Sequence, residues 1–242
     1  MALDLSKLRR LASKKPPVCT AVIAAAGLSH RCKGEDKLFY PVGGKPVLAY
    51  TIGAFQECAL ISEIIIVARQ EQFDGIGEIC KKYGFDKVSK IIKGGQTRAE
   101  SVINGVFAVS GKTKLIAIHD GARPCIDIET IERVINAAAK YHAAAPATQI
   151  TSTIKRVDNS MISETVSREG LYEIQTPQIF RTEIIKAALT NAAKKSITIT
   201  DDCMAAELIG VRAYIVEGPR NNIKITENED LQTTETILCG RI

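Results

Sequence analysis

Short apolar runs of strand length recur along the chain, each followed by a segment of helical length. CTAVIAAA (19–26), EIIIVA (63–68), KVSKII (87–92), KLIAIHD (114–120) and APATQI (145–150) are separated by 46–59, 71–83, 96–109 and 127–142. The runs read as continuous apolar stretches. A strand exposed on one face alternates apolar and polar residues, whereas a continuous apolar strand is covered on both faces, the condition of a parallel sheet between helical layers. The series therefore predicts an α/β fold: a doubly wound, mostly parallel sheet in a three-layer, Rossmann-like sandwich.

The pattern changes near residue 151. TSTIKRVDNSMISETVSREGLYEIQ is polar and weakly alternating, with an Asp158-Asn159 turn signal. It reads as a β-hairpin with too little apolar surface to join a core, hence an arm at about 151–170 that projects from the domain. Beyond it the sequence predicts a strand in LYEIQTPQIF, a helix over 181–195, a helix over 201–209 that Thr200-Asp201 would cap, a strand in VRAYIVEG, and a last helix over 227–239. Residues 1–17, ending at Pro16-Pro17, read as a basic lead without the apolar stretch of a secretory signal, and 18–242 as one domain.

Composition excludes several classes. Seven cysteines at 19, 32, 58, 80, 125, 203 and 239, with no C-x-x-C pair, suggest free thiols in a reducing cytoplasm and no zinc site. The net charge of +5 comes without a dense Lys/Arg run interleaved with aromatics, so nucleic acid is not an expected partner. No apolar run approaches the roughly 18 residues of a membrane span.

In an open parallel sheet, ligands bind outside the carboxyl ends of the strands. Four stretches reach that edge. At the end of the first strand, Ala25, Ala26 and Gly27 are small enough for an anion to approach the backbone, and Arg31 and Lys37 follow as candidate cations. The spacing is neither G-x-G-x-x-G nor G-x-x-x-x-G-K-[ST], which disfavours dinucleotide and P-loop sites. In GGQTRAESV (94–102) two glycines precede a helix whose first turns carry Arg98 and Ser101. In KLIAIHDGARP (114–124) a strand delivers His119 and Asp120, then Arg123; Asp120 is a candidate for a metal ion or a ribose hydroxyl, and a structural Asp–Arg pair fits the stretch equally well. Arg168, Thr176 in QTPQ and Lys224 in NNIKIT complete the set, Lys224 reading either as a cleft residue or as the solvent face of an edge strand. No nucleophile and base recur in a suitable context, so the toolkit is cations, backbone amides and one or two carboxylates. It suits attack of one phosphate on another.

Taken in order, IAAAGLSHRCKGEDKLF, GGQTRAESV, HDGARP, TVSR, QTPQ, TDD and NNIKIT resemble the 2-C-methyl-D-erythritol 4-phosphate cytidylyltransferase family over about residues 18–239. The resemblance implies transfer of CMP from CTP to methylerythritol phosphate in isoprenoid precursor biosynthesis. It implies that Ala25, Ala26, Gly27, Gly95, Ser101, Asp120 and Arg123 bind the nucleotide. Arg31 and Lys37 would stabilise the transition state, and Thr153, Arg168, Thr176 and Lys224 would hold methylerythritol phosphate. It further implies magnesium or another divalent cation held mainly by the triphosphate, and a homodimer whose 151–170 arms complete the neighbouring site. The sequence departs from the family pattern at Ala24, Ser29 and Cys32, where proline, glycine and methionine are usual. Two rivals remain: a ribitol or other pentitol-phosphate cytidylyltransferase, in which A-G-G and H-D-S-V-R-P would replace AAAG and HDGARP, and a non-catalytic nucleotide-binding module.

Overall fold

The computed structural model of the protein describes residues 18–27 and 36–240. Arg31, with Ser29, Cys32 and the lead at 1–17, lies outside the described residues.

Each apolar run becomes a strand of one eight-stranded sheet. β1 (Cys19–Ala24) pairs in parallel with β4 (Ile61–Ala68) on one side and with β6 (Leu115–Asp120) on the other, and β4 pairs in parallel with β5 (Val88–Lys93), while the short β2 (Pro41–Val42) and β3 (Lys45–Pro46) form an antiparallel ribbon of their own. β7 (Ala143–Gln149) lies beyond β6, separated from it by β11 (Gln178–Arg181), which runs antiparallel to both. β10 (Tyr172–Ile174) pairs antiparallel with β7, and β12 (Tyr214–Glu217) pairs parallel with it. The chain thus winds outward from β1 through β4 and β5, then returns to β6 on the opposite side of β1. That reversal is the switch point at which a crevice must open.

Helices cover both faces. α1 (Val47–Glu57), α2 (Phe73–Tyr83), α4 (Ile128–Tyr141) and α7 (Asn228–Cys239) share one apolar cluster with Ala21 and Ile23 of β1. α3 (Arg98–Ala108), α5 (Thr182–Lys194) and α6 (Asp202–Glu207) share the other with Val22. Consecutive residues of β1 therefore enter opposite cores, which is why its sequence does not alternate. The same holds for Ile64, Ile65 and Ile66 of β4, all fully buried; each contributes about 2 kcal/mol by leaving water. Gly105 lets α3 lie directly on β1, since a Cβ there would stand 2.3 Å from Val22 Cγ1.

Two expectations need correction, and the edge-strand alternative for Lys224 falls away. The hairpin forms as β8 (Ile154–Asp158) and β9 (Met161–Val166), but Asp158 pairs with Met161, so the turn is Asn159-Ser160, both at positive φ. LYEIQTPQIF is not one strand, because Gln175–Pro177 leaves the sheet between β10 and β11. NNIKIT is not a strand: Ile225 is buried, its N–H donates to the Ala122 carbonyl, and the segment crosses the strand ends as an irregular strap. The cap of α6 is Asp201, whose carboxylate accepts from the Met204 N–H.

Candidate active site

The register of β1 against β6 sets Ala24 opposite Asp120, so the two loops leaving these strands face each other across the switch point. A cleft of about 360 Å³ opens there, between the floor Ala24–Gly27, the turn carrying Lys37, the N-terminus of α3 and the strap at Lys224. Gly94 makes this closeness workable. A Cβ on it would stand 2.5 Å from Ala26 Cβ and 2.7 Å from Ser101 Oγ. Ser101 is nearly buried; its hydroxyl donates to the Thr97 carbonyl and accepts from the Gly95 N–H at 3.1 Å, fixing the main chain that lines the cleft. Thr97 caps α3 by accepting from the Glu100 N–H.

Asp120 organises the charge. Its carboxylate accepts from Arg98 Nε at 3.0 Å and pairs with Lys224 Nζ at 2.7 Å and Arg123 Nε at 3.8 Å. Burial alone would raise its pKa, but Arg98 and Lys224 outweigh that and hold the carboxyl well below the usual carboxylate range. Arg98 continues inward: its Nη2 donates to Asp202 at 3.0 Å, and Asp202 is fully buried. Gln178 fixes Asp202 in turn, its Oε1 accepting from the N–H groups of Asp202 and Cys203.

A second chain of bonds locks the strand end from beneath. His119 is fully buried. Its Nε2 lies 3.2 Å from the Arg123 carbonyl, which can only accept, so this nitrogen carries the proton and Nδ1 accepts from the Thr176 hydroxyl at 3.0 Å. The same hydroxyl accepts from the Asp120 N–H at 3.1 Å. Burial pushes the His119 pKa down to about 4. The imidazole is neutral at physiological pH and has no path to the cleft, so it is a brace and not a general base. Arg123 is also buried, its Nη1 donating to the Asn222 carbonyl at 2.7 Å, while Asn222 Nδ2 donates to Gln175 Oε1 and the Thr176 carbonyl.

Several sequence-derived residues thus meet in one place: Ala25, Ala26, Gly27, Lys37, Gly95, Ser101, Asp120 and Lys224 all line the cleft. Others take different positions. The Ala25 N–H donates to the Val67 carbonyl at 2.7 Å, so the sheet, not a ligand, satisfies it. Arg123 and Thr176 sit behind the wall as supports. Thr153 and Arg168 lie on the exposed arm, where Arg168 Nη1 donates to the Thr151 carbonyl, and neither lines the cleft. Arg98 belongs to the cleft, and the family resemblance had not singled it out; Asp202, Gln178 and Asn222 carry no sequence signal of their role beyond the TDD, QTPQ and NNIKIT stretches that contain them. Among the described residues no group of three or more His, Cys, Asp or Glu could hold a metal ion, and Asp120 is the one carboxylate lining the cleft.

The whole domain matches known proteins. The family profile described as "IspD: 2-C-methyl-D-erythritol 4-phosphate cytidylyltransferase" covers residues 19–240. The Clostridium acetobutylicum protein of that name is 43% identical over 221 residues, spanning 90% of this chain and 96% of its own length. The Caldanaerobacter subterraneus protein is 42% identical over 222 residues, with 90% and 98% covered. The crystal structure of 4-diphosphocytidyl-2C-methyl-D-erythritol synthase from Anaerococcus prevotii superposes with a TM-score of 0.82 at 32% identity, covering 93% of this chain and 97% of that one.

Proposed function

The chain belongs to the 2-C-methyl-D-erythritol 4-phosphate cytidylyltransferase family, and from that premise we infer which residues carry its reaction. The reaction transfers CMP from CTP to methylerythritol phosphate and releases pyrophosphate. An oxygen of the methylerythritol phosphate forms a bond to the CTP α-phosphorus as the bond to the β-phosphate oxygen breaks. The attacking phosphate is largely dianionic at pH 7, its second pKa being about 6. No base is needed, which agrees with a cleft whose described lining residues include three cations and one carboxylate.

The observation carrying this reading is the ring of cations, Lys37, Arg98 and Lys224, around a floor of small residues at the switch point. Ala26, Gly27 and Gly95 shape the backbone around the nucleotide. Lys37, with Arg31, offsets charge on the α-phosphate, and Lys224 turns from Asp120 toward the incoming phosphate. A magnesium or similar divalent ion fits as a passenger on the triphosphate, with Asp120 as the protein carboxylate within the cleft; the ion would supply further charge neutralisation. A metabolic role of this kind fits the cytoplasm. Pyrophosphate release should require CTP together with methylerythritol phosphate. UTP should be slower by orders of magnitude, since a uracil carbonyl would leave the acceptors facing cytosine's amine unpaired. Equal turnover with UTP, or turnover with ribitol phosphate in place of methylerythritol phosphate, would overturn the assignment.

Thr153 and Arg168 fit the same reading if the arm serves a second subunit. Among the described residues β8 and β9 pair only with each other, and Val157, Met161 and Ile162 on them are exposed. An isolated two-stranded hairpin is marginally stable in water and gains from a partner surface. The expected result is a homodimer by sedimentation at assay concentration, in which arm deletion lowers both dimerisation and affinity for methylerythritol phosphate. A fully active monomer would exclude the arrangement.

A further inference from the structure

Arg69 follows directly on β4, and its guanidinium, about one-fifth exposed, reaches two separate pieces of chain. Nη1 donates to the Gly27 carbonyl at 2.8 Å, and Nη2 donates to the Asp36 carboxylate at 2.6 Å. Gln72, nearly buried, donates from Nε2 to the same Asp36 oxygen at 2.6 Å, and its Oε1 accepts from the Arg69 N–H at 2.7 Å. Nε of Arg69 pairs with Glu71, which is open to solvent and adds little. Gly27 ends the cleft floor, and Asp36 immediately precedes Lys37. The other Asp36 oxygen accepts from the Leu38 N–H at 3.1 Å, and its carbonyl accepts from the Phe39 N–H at 2.9 Å. Holding this carboxylate therefore holds the turn that carries Lys37. Lys37 Nζ in turn donates to the Ile225 carbonyl on the far wall.

We propose that Arg69 is a positioning residue for nucleotidyl transfer: its guanidinium clamps Gly27 to Asp36 and so sets the cleft floor and the Lys37 ammonium at a fixed separation. The proposal rests on the reading of this cleft as the CTP site. Arg69 is not among the cleft-lining residues, so its effect passes through the two groups it holds. A planar fork can bridge a carbonyl and a carboxylate at once, whereas an ammonium is a point charge. Drawing together two ends separated by a stretch of chain costs closure entropy, and the clamp bears that cost before substrate arrives.

Steady-state kinetics on the full chain test this. Arg69→Ala should lower kcat/KM for CTP by about ten- to a hundredfold, the scale of a small misplacement of a reacting group. KM for methylerythritol phosphate should stay within about twofold, and Arg69→Lys should recover little. Asp36→Asn should cost less, because the Gly27 link survives, and the two substitutions combined should cost less than the product of their separate effects. If Arg69→Ala fails to fold, Arg69→Lys and Asp36→Asn carry the test in the same assays. Variants within threefold of wild type for CTP, strictly multiplicative effects, or a KM for methylerythritol phosphate raised as much as the KM for CTP would overturn the clamp. A wild-type protein that releases no pyrophosphate would instead overturn the underlying reading.

Discussion

Replacing Lys37 with alanine is expected to lower kcat by about 10²–10³, with a much smaller change in KM for methylerythritol phosphate. The ammonium lines the cleft opposite the floor at Ala24–Gly27. It is not a loosely solvated charge, since Nζ donates to the Ile225 carbonyl at 2.7 Å, and Ile225 is itself bonded through its N–H to Ala122 just past β6. Both walls of the switch point therefore determine where this cation sits, and it needs little reorganisation when the reaction begins. Negative charge on the α-phosphate oxygens grows as the fifth oxygen approaches, so a contact to them strengthens from ground state to transition state and appears in kcat. Arg31→Ala should behave alike if its side chain reaches the same phosphate. The measurement is a full kinetic comparison with each substrate varied at a saturating concentration of the other. Near-normal kcat in Lys37→Ala, with only the KM for CTP raised, would make Lys37 a binding group and remove it from the transition state.

The fold was legible because the signal was local. Continuous apolar runs such as EIIIVA can be satisfied only by two covering layers, and β4 has them. The loops at the strand ends were legible for the same reason: small residues next to cations are visible in a window of ten. What the sequence hid was long-range. Arg98 and Asp202 stand 104 positions apart, and nothing beside either residue announces the other. Arg69 follows directly on the run EIIIVA, yet its partners lie 42 and 33 positions upstream. QTPQ read as part of a strand because Ile174, Ile179 and Phe180 flank it. Gln175 and Thr176 are instead diverted to hold His119, Asp120 and Asn222, while Gln178, at the start of β11, holds the N-terminus of α6 through its side chain. Lys224 between two isoleucines fitted an edge strand. The structure resolves this by burying Ile225 and turning Lys224 toward Asp120.

That last contact makes Asp120 the position where a single atom change should matter most for stability. Asp120→Asn keeps the shape but leaves Arg98, Arg123 and Lys224 without the carboxylate they share. Removing one partner of a buried ion pair typically costs about 3–5 kcal/mol. Lys224 is more than a third exposed, so water screens part of its share and the lower end is the better guide. At about 2–4 °C per kcal/mol for a domain of this size, the expected fall in Tm is roughly 10 °C. The pH dependence gives a check with a definite sign. The folded-state pKa of Asp120 is depressed, so its contribution is complete above the ordinary carboxyl value of 3.8 and is lost as pH falls below it. The gap in stability between wild type and variant should therefore be constant near neutrality and close in acid. Anions supply a second check. In the variant, pyrophosphate meets cations that have lost their internal counter-charge, whereas in the wild type it must compete with Asp120 for them. Saturating pyrophosphate should accordingly raise the Tm of Asp120→Asn more than that of the wild type. A variant melting within about 2 °C of wild type, or one that pyrophosphate stabilises less, would mean that Arg98 and Lys224 are balanced elsewhere and that Asp120 does not organise the cleft.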